Sequence, residues 1–147
     1  MNRFSIVTFF CLVLLFPFAV SAENSTTANG YTVHHNVFKA DFLTPEIATQ
    51  YGFQRSKFRG MLNVSVIQNV PGTIGVPVAA LVEVEAADLM QKPKNIELKE
   101  IREGAAVYYI GDFPVIDRDM VNFKLKVTPE GESSYISSSF SHEFYID

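Results

Sequence analysis

The feature that most limits how this chain can fold is strict apolar alternation in short runs. Val121, Phe123, Leu125 and Val127 alternate with Asn122, Lys124 and Lys126. Successive side chains of a strand point to opposite faces, so such a run has one apolar face and one wet face. Leu62, Val64 and Val66, separated by Asn63 and Ser65, repeat the pattern. A long strand is expected from Val76 to Glu85, with Val76, Val78, Ala80, Val82 and Val84 on one side. Near the end, Ile136, Phe140, Phe144 and Ile146 share a face with Ser138 and His142, while Ser137, Ser139 and Ser141 line the other. Tyr31–Phe42 changes its apolar face between Val37 and Phe38, which suggests a bulge or a strand that changes sheets. Ile96–Arg102 reads as an amphipathic strand, with a short helix as the alternative, and Ala105–Ile110 as a strand by its β-branched and aromatic content. Roughly seven strands at a spacing of about ten residues, punctuated by turns, predict an all-β, fibronectin-III/immunoglobulin-like sandwich. The cysteine pair and tryptophan of antibody domains are missing, which favours the fibronectin-III-like sub-type.

One helix interrupts this pattern. Thr44 can cap it, Pro45 suits its first position, Glu46 favours its positive end, and Gly52 can close it in a left-handed turn. At about two turns it needs tertiary support. It is expected to pass from one sheet to the other with Ile47 and Tyr51 inward.

Residues 1–22 read as a secretory signal peptide: Arg3, then an apolar run, then a small-residue exit at Ala22. The rival reading, an uncleaved anchor, is disfavoured by Pro17 and that exit. Cys11 lies inside the apolar run, which argues against a lipid anchor, and it leaves with the segment. The remaining chain of about 125 residues has no thiol, so a hydrophobic core must carry its stability. Losing Arg3 takes the formal charge from −4 to −5. An acidic chain is a poor general phosphate binder, which argues against nucleic acid as a partner. No second apolar run is long enough to span a bilayer, so no stable membrane insertion is expected after cleavage. Residues 23–30 are small and polar and read as a flexible leader. Residues 31–147 then form a single domain.

The densest basic cluster is Arg55, Lys57 and Arg59, followed by Gly60, where the backbone can relax. In an extended chain these cations share one face and form a ridge leading into the Leu62–Val66 strand. Arginine suits carboxylate or phosphate as a planar fork, and lysine as a point charge. The ridge is the binding candidate; the structural alternative pairs Arg55 and Arg59 with Asp112, Asp117 or Asp147. His34 and His35 point to opposite faces, so they do not form a two-histidine metal site together. His35 and His142 both fall on apolar faces of terminal strands; if those strands meet, they are weak candidates for metal binding or pH sensing, against two unrelated core positions. Asp112, Asp117 and Asp119 lack the tight alternation of a calcium loop and read as a solvated turn. There is no GxSxG, and the serine run near the end reads as a solvated strand face. No catalytic constellation stands out, and no cofactor is implied.

The blocks Leu43–Glu46, Arg55–Arg59 and Asn63–Val66, with the closing Phe144–Asp147, resemble the domain-of-unknown-function family 4426 of small exported bacterial proteins. The similarity runs over nearly the whole chain after residue 22. It departs at Phe58, where a polar residue is usual, and at His142, where Gln or Thr is usual. The resemblance implies a periplasmic location and carries no activity. The expected function is a non-enzymatic binding or accessory module of the cell envelope, meeting an anionic partner through the ridge or a partner protein through a sheet edge. The alternatives are a purely structural envelope protein and an enzyme with a shallow histidine or carboxylate site.

Overall fold

The computed structural model describes residues 24–147; the expected signal peptide and Cys11 lie outside the described residues. The strands are β1 (Ser25–Ala28), β2 (Tyr31–Lys39), β3 (Arg59–Gln68), β4 (Val76–Pro77), β5 (Ala80–Asp88), β6 (Pro93–Lys94), β7 (Lys99–Glu103), β8 (Ala106–Pro114), β9 (Asp119–Pro129) and β10 (Ile136–Phe144). One helix, α1 (Pro45–Tyr51), lies between β2 and β3. One sheet has the order β1-β2-β3-β8-β7, with β4 on β3, and the other has the order β10-β9-β5-β6. All the pairings are antiparallel. The all-β sandwich expected from the alternation is therefore present. Its seven long strands pair as A-B-E-D and C-F-G, the constant-type immunoglobulin order. The expected fibronectin-III-like sub-type is thereby corrected, because β7 joins β8 rather than the sheet of β5.

The alternation works as read. Val121, Phe123, Leu125 and Val127 of β9 are buried, as are Val33, Leu62, Val64, Val66 and Phe113 from the opposing sheet. The outer face of the β9 sheet is wet, and Glu83 and Glu85 stand opposite Lys126 and Lys124 in register. Ser137, Ser139 and Ser141 are exposed on that face. Aromatic contacts tie the two layers together. Phe113 of β8 meets Phe123 and Phe144 edge-on, each at 5.7 Å, and His35 of β2 stacks on Phe140 of β10 at 3.7 Å with rings 3° apart.

Four expectations change. The expected leader forms β1, which pairs Ser25–Ala28 with Tyr31–His34. Asn29 (φ 53°) and Gly30 (φ 80°) both adopt positive φ, which a tight hairpin turn requires. The expected strand Val76–Glu85 is two strands in different sheets, because β4 pairs β3 and β5 pairs β9. Pro77, which has no N–H to give a ladder, sits at the break. There is no bulge at Val37–Phe38: β2 runs in unbroken register with β3, and Phe38 packs on a second apolar cluster on the outer side of the sheet. That cluster is built on Ala40, Phe53, Met61 and Ile101. The helix forms as expected, with Thr44 Oγ1 accepting from Ile47 N and Gly52 at φ 73°. It joins neighbouring strands of one sheet, so it does not cross between layers. Tyr51 packs on the second cluster, Ala48 is the helix's buried residue, and Ile47 is exposed.

Gly60 also has a different role. Its φ is ordinary, but a Cβ there would lie 2.7–2.8 Å from the rings of Phe113 and Phe144. A hydrogen is all the inter-layer ring packing admits at that point. Gly60→Ala is expected to cost about 1–3 kcal/mol, read as a lower urea midpoint at unchanged slope; a variant as stable as the wild type would show that the rings are free to shift.

Candidate functional site

The three ridge cations do not share a face. Strand geometry begins only at Arg59, and residues 53–58 form a loop in which alternation carries no meaning. Arg55 donates from Nε to the Leu43 carbonyl at 2.7 Å and from Nη2 to the Asp41 carbonyl at 3.3 Å. Lys57 Nζ donates to the main-chain oxygen of Asp147 at 2.7 Å. Arg59 Nε meets Asp112 Oδ2 at 2.5 Å, one of the pairings expected under the structural alternative. Each cation thus fastens the 53–59 loop to a different neighbour.

The three aspartates are also used separately. Asp112 holds Arg59, Asp117 accepts from Ile146 N, and Asp119 pairs with Lys94 at 2.5 Å with both side chains nearly buried. Among the described residues no group of three or more His, Cys, Asp or Glu could hold a metal ion.

The histidines, in contrast, are brought together. β2 and β10 are the strands on which the two sheets meet along one side of the sandwich. At one end of that side the seam is closed by Thr26 Oγ1 and Ser138 Oγ, 2.8 Å apart. β1 then stops at Ser25, with Asn24 O accepting from His35 N as the last tie. Beyond it, among the described residues, β2 has no neighbour on that side. β10 ends its own sheet and pairs only with β9. Two depressions, of about 210 and 460 Å³, follow this open seam and share Val37 and His142. The smaller is lined by His35, His142, Asn24, Asn36 and Phe140, and the larger runs on past Phe38 and Phe144 to Phe42 and Tyr145.

Both imidazoles face this groove without a hydrogen bond to their rings among the described residues. Burial, and secondarily the neighbouring His34, holds His35 below the ordinary histidine range; burial alone does the same to His142. Both are therefore neutral near pH 7, with lone pairs available to a donor. A larger depression of about 820 Å³ lies at the β5–β6 edge, lined among others by Glu85, Lys94, Asn122 and Lys124. Its charges are already answered: Lys94 is paired with Asp119, and Lys124 stands opposite Glu85. The seam is the stronger site because it combines unused polar groups, an apolar floor and open strand edges. Sequence reasoning flagged both histidines but could not see the groove, since that depends on where β1 stops.

Comparison with known proteins agrees with the architecture. The model of the domain-of-unknown-function family DUF4426 matches residues 25–147. The crystal structure of a DUF4426 family protein from Pseudomonas aeruginosa is similar, with a TM-score of 0.72 and 33% identity, covering 84% of this chain and 94% of that one. No curated protein matches.

Two outcomes follow from this geometry. Arg55→Ala with Arg59→Ala should lower stability by about 1–3 kcal/mol, because two loop carbonyls and a half-buried carboxylate lose their partners; urea unfolding measures it, and an unchanged midpoint would return the ridge to a binding role. For the histidines, neutral forms are favoured in the folded state. Stability is then full above the ordinary histidine value of about 6.5 and declines as pH falls from there through the lower folded values. Thermal melts from pH 7.5 to 5.5 should slope less in His35→Phe/His142→Phe than in the wild type.

Proposed function

The chain belongs to the DUF4426 family, and we propose that it is a non-enzymatic, exported binding module of the cell envelope that takes an extended segment of a partner protein into the seam between β2 and β10. The observation that carries this reading is a pair of strand edges, unpartnered among the described residues, on either side of an apolar groove. An extended peptide laid there would satisfy main-chain donors and acceptors along an edge, while alternate side chains entered the groove. Val37 and Phe144 offer apolar contact, and His35 and His142 offer polar contact.

The other edges are less suited to this. β7 reads Lys-Glu-Ile-Arg-Glu, and charged edge residues oppose strand addition. β6 is two residues long and begins with proline. β10, by contrast, carries a single charged residue, Glu143, along its open stretch from Phe140 to Phe144. Export and a periplasmic home rest on the signal-like residues 1–22. The ridge is a weaker candidate for contacting an anionic partner, because its cations already serve internal acceptors.

The test uses the two lips of the groove. Asn36 and Ser141 are exposed, one on each strand, so Asn36→Lys/Ser141→Lys adds two repelling cations without touching the core. Wild-type protein incubated with an envelope extract should retain a partner and show slowed amide exchange over residues 36–39 and 140–144. The double variant should lose both. Retention of the same partner by the variant, or protection elsewhere, would refute the seam as the site.

A further inference from the structure

The loops at the end of the sandwich where β2 finishes and β3 and β9 begin carry an unusual set of exposed side chains. Phe42 is 74% exposed, Phe58 55%, Leu89 69%, Met90 89%, Ile116 70% and Tyr145 51%. They come from separate segments that the fold gathers at one end. Phe42 and Tyr145 line one depression; Phe58 O accepts from Val115 N beside Ile116; and Leu89 and Met90 lead out of β5 at Asp88, which pairs with Val121 near the start of β9. Asp88 Oδ1 accepts from Met90 N and Lys92 N, so the Leu89–Met90 tip is held outward rather than folded back.

Each exposed ring also carries a cation. Lys39 Nζ lies 5.7 Å from the Phe42 centroid, Lys57 Nζ 5.5 Å from that of Phe58, and Arg118 Cζ 5.9 Å from that of Tyr145. Asp117, Glu143 and Asp147 stand among them.

We infer that this end of the molecule is a membrane-contacting face, which seats its aromatic and aliphatic tips in the headgroup layer of a phospholipid bilayer rich in phosphatidylethanolamine. Rings with an apolar body and a cation at the rim suit the bilayer boundary, where the ring meets the acyl edge and the cation meets phosphate. The rim is mixed rather than purely basic. Of its cations Lys57 is tied to the Asp147 main-chain oxygen, so Lys39 and Arg118 complement phosphate while the carboxylates complement the ammonium, and the phosphatidylethanolamine headgroup carries both. The opposite end also exposes apolar tips, among them Ile74 and Tyr135, but these lie among Glu83, Glu130 and Glu132, with Lys126 against Tyr135. That end therefore presents anionic phosphate with mainly like charge. This inference does not rest on the seam reading, since vesicles contain no partner protein.

The chain has no tryptophan, so a single introduced one reports its own surroundings. Phe58→Trp and, as the opposite-end control, Tyr135→Trp would be mixed with vesicles of phosphatidylethanolamine and phosphatidylglycerol, with phosphatidylcholine vesicles, and with no lipid. The expected result is a blue shift of emission for position 58 with the first vesicles, a smaller one with phosphatidylcholine, and none for position 135. Co-sedimentation of the wild type with the first vesicles should weaken roughly tenfold or more in Phe42→Ser/Phe58→Ser, whose altered positions are exposed and outside the core. No shift at position 58, equal shifts at both positions, or undiminished sedimentation of the double variant would overturn the proposal. So would a position-58 shift without lipid that rises with protein concentration, since it would mark this end as a contact between copies of the chain.

Discussion

The structure depends on a series of rings that crosses between its two layers. His35 stacks on Phe140, Phe140 on Phe123 at 5.0 Å, Phe123 meets Phe113, Phe113 meets Phe144, and Phe144 meets His142 at 4.7 Å. His35 and Phe113 belong to one sheet and the other four rings to the second. Antibody-type sandwiches fasten their sheets with a disulfide packed on tryptophan; here no thiol or tryptophan is present among the described residues, and aromatic contacts occupy that place. The series begins and ends in imidazoles on the same groove, so the packing that joins the layers also partly buries both histidines and favours their neutral forms. Core and site share side chains, and disturbing one must disturb the other.

An open sandwich leaves edges, and this one treats them unequally. β7 is charged, β6 is short, and β1 shields only the first half of β2. Where that shield ends, the seam is left with a groove and, among the described residues, unpaired backbone on both sides. Water satisfies such groups in an isolated molecule, so the arrangement costs little stability. It does leave an invitation to strand addition that the other edges lack.

The sequence made the core legible because burial on one face forces period two. β9 was readable without ambiguity, and the seven long strands lie where alternation put them, within a few residues. The misreadings have particular causes. Pro77 interrupts an apolar alternation that continues smoothly across it, so two strands in different sheets read as one. Ser25–Ala28 looked like a leader because it is small and polar, yet an edge strand needs little side-chain burial when the Asn29–Gly30 turn sets its register. Phe38 looked like a face switch because sequence does not say that α1 and its flanks cover the outer side of the sheet. The site is half legible: chain position puts His35 and His142 on terminal strands that can meet, but the groove between them depends on how the two sheets border each other.

The basic cluster is instructive because its residues matter in a way that spacing did not indicate. Period-two geometry would align Arg55, Lys57 and Arg59, but the chain becomes extended only at the last of them. In the loop each cation turns toward a different acceptor. Arg55 secures the segment before α1, next to Phe42; Lys57 secures the end of the chain, next to Tyr145; and Arg59 secures the end of β8, which leads to Ile116. The loop they fasten carries Phe58 itself. Four of the exposed tips at that end of the sandwich are thus held in relation to one another by three cations whose charges are largely spent on carbonyls and one carboxylate. Their contribution to any contact made there is positional, and the free charge comes from Lys39 and Arg118.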